Sequence, residues 1–140
     1  MKNIALLLFA CMLLVSCGGK KEVKQISQES KSATEAFGVA ETIKNAFVKK
    51  DLAIIQRNTT EAGFKYIMAG KKVFDSVEMT FTPRWVEIEG DQMLVNIAWK
   101  STWTLSGRKT EERGMAVFVM EGNPLKVTKI LRANPFILQE

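Results

Sequence analysis

The hydrophobic period of this chain changes once, at Gly70, from that of a helix to that of a strand. Before it, Phe37, Ala40, Ile43 and Phe47, joined by Val39 and Ala46, recur at three- and four-residue spacing. That spacing puts them on one helix face. Thr34 is expected to cap this helix, with Glu35 in its first turn and Lys49 and Lys50 at its end, where each sign suits the helix dipole. Asp51 reads as the N-cap of a short second helix through Leu52, Ile54 and Ile55. Thr59 or Thr60 reads as the cap of a third, "EAGFKYIMA", stopped at Gly70. After Gly70 the period is two. Val77, Met79 and Phe81 alternate with Ser76, Glu78 and Thr80, and Pro83 interrupts because it cannot donate to a ladder. Alternation resumes at Trp85-Val86-Glu87-Ile88-Glu89, and Gly90-Asp91 is a two-residue hairpin signal. In the next strand Met93, Val95, Ile97, Trp99, Trp103 and Leu105 share one phase, and Asn96, Lys100, Thr102 and Thr104 share the other. Ser106 to Arg113 reads as a polar loop. "MAVFVM", Met115 to Met120, is apolar on both phases, as in a strand buried on both faces. "EGNP" turns the chain into a last strand, Leu125 to Leu131. Helices followed by an antiparallel meander imply an α+β fold, with the helices covering one sheet face.

The other end of the chain points to a location. Met1-Lys2-Asn3 leads into an uncharged apolar run, Ile4 to Val15. This run is too short to span a bilayer, which takes ~20 residues. It has the length and order of a signal-peptide core. Leu14-Val15-Ser16-Cys17 resembles the bacterial lipobox. That resemblance implies cleavage between Ser16 and Cys17 and a Cys17 carrying three acyl chains, palmitate among them. The competing reading is a plain signal peptide with an accidental cysteine. Gly18 stands where an aspartate would mark retention in the inner membrane, so the outer membrane is the expected destination within the cell envelope. Of the two cysteines, Cys11 leaves with the leader and Cys17 is acylated, so no disulfide or catalytic thiol is expected in the mature chain. Residues 18–31, "GGKKEVKQISQESK", are too polar to bury much surface and read as a flexible tether. The expected organisation is a leader at 1–16, a lipidated tether at 17–31 and one domain at 32–140. Net charge is +5 for the whole chain but only +2 for 32–140, which holds 15 of the basic and 13 of the acidic residues. The excess sits beside the anchor, where anionic headgroups attract it. It does not indicate a nucleic-acid partner.

Two longer stretches carry a second likeness. "AFGVAETIKNAFVKKDLAIIQRNTT" resembles the opening helix, Lys-Asp break and second helix of the nuclear transport factor 2-like (SnoaL-like) superfamily. "WTLSGRKTEERGMAVFVMEGNPLKVTKI" resembles its final strands. The likeness spans about Thr34 to Leu131. It implies a cone, in which a strongly curved antiparallel sheet wraps a long helix around a pocket, and often a homodimer through the outer sheet face. Members include isomerases, dehydratases, small-ligand binders and scaffolds, so the fold by itself selects no function.

The absence of histidine removes the commonest general base, the catalytic triads and most zinc sites. No glycine-rich phosphate loop is present, and neither a cofactor nor a metal is expected. Asp75 shares the phase of Val77, Met79 and Phe81, so it reads either as a pocket acid or as a solvated turn residue. Tyr66, the single tyrosine, reads as a pocket phenol or a core residue with a wet tip. Trp99 and Trp103 share a strand face and, with Phe118, either line a cavity or fill the core. Arg84, beside Trp85, reads as a partner for an acidic ligand group or as a solvated side chain at a strand bend. The expectation is a membrane-anchored, non-enzymatic domain binding a small apolar ligand or an envelope protein. The alternatives are an isomerase- or dehydratase-type enzyme using Asp75 and Tyr66 for proton transfer, and a scaffold without ligand.

Overall fold

The computed structural model describes residues 27–70 and 74–138, so Ser16, Cys17 and the leader lie outside it. Helix α1, Gln28–Val48, begins earlier than the Thr34 cap expected from sequence. Ser27 is the N-cap: its backbone is extended (φ −61°, ψ 153°) and its Oγ accepts from the Ser30 N–H at 3.1 Å. Thr34 instead donates its hydroxyl to the Ser30 carbonyl at 2.9 Å, inside the helix. Gln28 to Lys31, read from sequence as tether, are thus helical and exposed. No apolar stripe announces them, because the buried face starts at Ala36 and runs through Ala40, Ile43, Ala46 and Phe47.

The two short helices follow the expected caps. Asp51 accepts from the Ile54 N–H at 3.1 Å to open α2, Leu52–Arg57. Thr60 accepts from the Gly63 N–H at 3.1 Å to open α3, Glu61–Met68. Backbone bonds then tie this corner to the last strand: Thr60 N–H to the Val127 carbonyl and Val127 N–H to the Asn58 carbonyl, both 3.0 Å. Gly63 allows the approach, since a Cβ there would lie 2.0 Å from the Val127 oxygen.

Four antiparallel strands follow in the order β1 (Ser76–Glu89), β2 (Gln92–Leu105), β3 (Arg108–Glu121) and β4 (Lys126–Arg132). The fold of the described residues is α+β, as the change of period requires. Strand β1 runs straight through Pro83, with a register shift between Pro83 and Trp85 that leaves Arg84 outside the ladder. Proline is tolerated because β1 is an edge strand. The expected loop from Ser106 to Arg113 is mostly strand. Ser106 and Gly107 make a tight turn with φ of 49° and 76°, after which Lys109 pairs with Thr104, Glu111 with Thr102 and Arg113 with Lys100. Polar residues on both faces at this end of the hairpin hide its alternation.

The core lies between α1 and one sheet face. Val95, Ile97, Trp99 and Trp103 of β2 pair with Ala116, Phe118 and their neighbours on β3 along that face. The chain beyond β4 completes it. Trp99 Nε1 donates to the Ala133 carbonyl at 3.0 Å, and Phe136 is fully buried. The Phe136 ring lies 4.8 Å from Phe47 and 6.1 Å from both Phe81 and Phe118, centroid to centroid. On the opposite face Leu94 pairs with Val119, Asn96 with Val117 and Ala98 with Met115. Val117 and Val119 are buried, yet they stand outside the cluster that α1 covers. This accounts for the two-sided apolar pattern of β3.

Candidate functional site

A groove of about 540 Å³ runs between the N-terminal half of α1 and the end of β1. Ser27, Glu29, Ser30, Ala33 and Phe37 form the helix wall, and Trp85, Val86 and Ile88 form the strand wall. Sequence explains both walls. Phe37 belongs to the apolar stripe of α1 but sits before the helix is fully enclosed, so it is only half-buried. Trp85 to Ile88 follow the Arg84 irregularity on the sheet edge, with no strand beyond β1 among the described residues. Trp85 is 47% and Ile88 53% exposed. Trp85 Nε1 donates to Glu87 Oε1 at 2.6 Å, which fixes the indole along the strand. The volume falls within the ~300–1,000 Å³ typical of ligand sites, but the groove is open to solvent.

The lining is mostly apolar, with Glu29 and two serines in the helix wall. Glu87 and Glu89 alternate with Val86 and Ile88 along β1 and stand on the other sheet face, across from Leu94 and Gln92. Elsewhere, Lys65 hydrogen-bonds Glu61 at 2.8 Å and holds that exposed carboxyl below its usual range, first by the hydrogen bond and then by charge. Lys50 donates to the Phe74 carbonyl at 3.0 Å with its ammonium over the Phe74 ring. Among the described residues, no group of three or more histidine, cysteine, aspartate or glutamate side chains is placed to hold a metal.

The residues nominated from sequence do not form one pocket. Trp99, Trp103 and Phe118 are core. Trp103 Nε1 donates to Ser101 Oγ at 2.9 Å, and its ring meets Phe74 edge-on at 5.0 Å. Both indole donors are thus satisfied internally, and the reading in which these rings line a cavity gives way to the one in which they fill the core. Asp75 is exposed at the start of β1, its N–H bonded to the Thr104 carbonyl at 2.9 Å, so no apolar wall surrounds its carboxyl. Tyr66 is 44% exposed on α3, and its backbone carbonyl accepts from Asn134 Nδ2 at 2.8 Å. Arg84 is exposed at the strand irregularity. Of the nominated residues only Trp85 reaches the groove. Ile88 and Phe37 were readable as apolar positions, but their incomplete burial depends on where α1 ends relative to β1, which periodicity does not encode.

No described helix is long and apolar enough to cross a membrane. No protein-family model matches the chain, and comparison with curated proteins and with solved structures finds no match.

Proposed function

We propose that this chain is a lipid-anchored, non-enzymatic binding domain of the bacterial cell envelope, and that the α1–β1 groove, rather than the interior, takes a polypeptide segment. The observation that carries this reading is the position of the groove. It combines exposed apolar side chains, Trp85 and Ile88, with a strand edge that has no neighbour among the described residues. An extended peptide can lie along such an edge, bonding through its backbone and placing alternate side chains in the groove. A small apolar ligand inside the fold is disfavoured by the close ring packing of Phe47, Phe81, Phe118 and Phe136. The proton-transfer alternative needs an acid in apolar surroundings, and the exposed Asp75 does not provide one. The scaffold alternative is close to the present reading, differing only in having no dedicated groove partner.

The nuclear transport factor 2-like assignment, with its conical sheet, is kept as part of this proposal. Its support is the order of one long and two short helices followed by the antiparallel meander. A homodimer through the outer sheet face is a second element of it, supported by the partly exposed apolar residues Leu94, Ala98 and Met115 on that face. The anchor on Cys17, and outer- rather than inner-membrane residence, rest on the lipobox likeness. Native mass spectrometry of the full protein, extracted from the membranes of its own host, tests the binding reading. The expected species is the acylated chain with itself or another polypeptide. A molecule of a few hundred daltons held stoichiometrically by the single chain would overturn it.

A further inference from the structure

We propose that the outer sheet face receives a second copy of this chain in one orientation, with β1 of each copy lying over β4 of the other. The proposal rests on the outer-face dimer of the preceding reading and adds its register and its charge pairing. The observation behind it is a match between the two edges of that face. Directly paired residues share a face, so the ladders define rows across the sheet. One outer-face row runs Trp85, Asn96, Val117, Leu131 from β1 to β4. The next runs Glu87, Leu94, Val119, Lys129, and the one after it Glu89, Gln92, Glu121, Lys126. The β1 edge therefore reads Trp85, Glu87, Glu89, and the β4 edge reads, level for level, Leu131, Lys129, Lys126. Trp85 and Leu131 are 47% and 39% exposed. Glu87 and Glu89 are exposed, and neither lysine is in an ion pair among the described residues.

Two identical faces meet about a two-fold axis lying between them, and stacked sheets keep their strands roughly aligned. An axis running along the strands between β2 and β3 keeps each row at its level and reverses the strand order. It lays Trp85 over Leu131 of the second copy, Glu87 over Lys129 and Glu89 over Lys126, each pair occurring twice. Between these edges Leu94 lies over Val119 and Ala98 over Met115. The cost is Lys100 over Arg113 in the row beyond, where Lys100 is already paired with Glu111 at 3.4 Å. An axis crossing the strands at Asn96 lays β1 on β1 instead. It retains one opposite-charge match, Glu121 over Arg113, and leaves Lys126 and Lys129 over no acid. Opposite charges at the two edges thus select the first arrangement, because like charges brought together at an interface are costly. Trp85 also lines the α1–β1 groove, so in this arrangement the second copy packs against one wall of that groove.

Native mass spectrometry of the full chain in detergent, with two charge-reversed variants, tests the arrangement. One variant combines Glu87→Lys with Glu89→Lys, and the other combines Lys126→Glu with Lys129→Glu. A thermal melt shared with wild type confirms that both fold. Each variant alone sets like charges against each other at four places. Each is expected to dimerise at least about tenfold more weakly than wild type at low salt, since four surface pairs are reversed. The gap should narrow at high salt. Mixing the two variants, one of them isotope-labelled, restores opposite charge at all four places, so the mixed dimer should form about as well as the wild-type dimer and in excess of both self-pairs. Self-pairing of both variants as strong as wild type's, with no preference for the mixed dimer, would overturn the arrangement. So would variants that separate and do not recombine on mixing. If Leu94→Arg still separates the chains in either case, the outer-face dimer stands without this register; a wild type that is monomeric removes both.

Discussion

Gly63→Ala should destabilise this protein although it places a better helix former in a helix. Alanine is favoured over glycine in a helix interior by ~1 kcal/mol. At Gly63, however, the new Cβ would stand 2.0 Å from the Val127 carbonyl oxygen and 2.8 Å from its carbon. Both are backbone atoms, so no side-chain rotation relieves the clash. Relief requires α3 to move away from β4 by more than ~1 Å, given contact distances of ~3.5 Å. The same oxygen accepts the Thr60 N–H at 3.0 Å, and Thr60 is the α3 cap. Overpacking costs ~1–3 kcal/mol and a weakened hydrogen bond ~1 kcal/mol. Set against the propensity gain, the net loss is ~2 kcal/mol. For a domain of this size that is a fall in Tm of about 10 °C. Gly38→Ala is the matched control. Gly38 is exposed in mid-α1, and a methyl group added there would meet nothing within 4 Å. It should gain ~0.5–1 kcal/mol. Urea denaturation of both variants gives the comparison. Equal stabilisation by the two substitutions would show that α3 is not seated on β4 as described.

Phe136→Ala should cost ~3–5 kcal/mol, because a fully buried ring central to the aromatic cluster leaves a cavity; denaturation reads the loss, and a cost under ~1 kcal/mol would mean that the C-terminal segment does not complete the core. Leu94→Arg should convert a dimer into a monomer by light scattering, with little change in melting; a wild-type protein that is already monomeric would remove the outer-face dimer. Cys17→Ser should move the protein from the membrane to the soluble fraction, and continued membrane attachment would contradict the lipid anchor.

The division between helical and strand halves was legible because Ala40, Ile43 and Phe47 on one side of Gly70, and Val77, Val95 and Ile97 on the other, keep strict periods. Caps were legible where an oxygen-bearing side chain sits immediately before an apolar run, as at Asp51 and Thr60. Three features were not. The first turns of α1 are polar all round, so their helicity shows only through the Ser27 cap. The start of β3 is polar on both faces, so a strand looked like a loop. Phe136 lies in a stretch with no period, and its burial follows from the C-terminal segment passing beneath the sheet. The groove was invisible for a related reason. Val86 and Ile88 alternate as core residues would, and only the limited reach of α1 along β1 leaves Ile88 exposed.

The most direct measurement places a photo-crosslinking amino acid at Ile88 in the full chain in its own host's membranes, with the same group at Tyr66 on α3 as an exposed control. The groove account predicts polypeptide adducts at Ile88 and none at Tyr66. Adducts at Ile88 to lipid alone, or equal yields at the two positions, would contradict it.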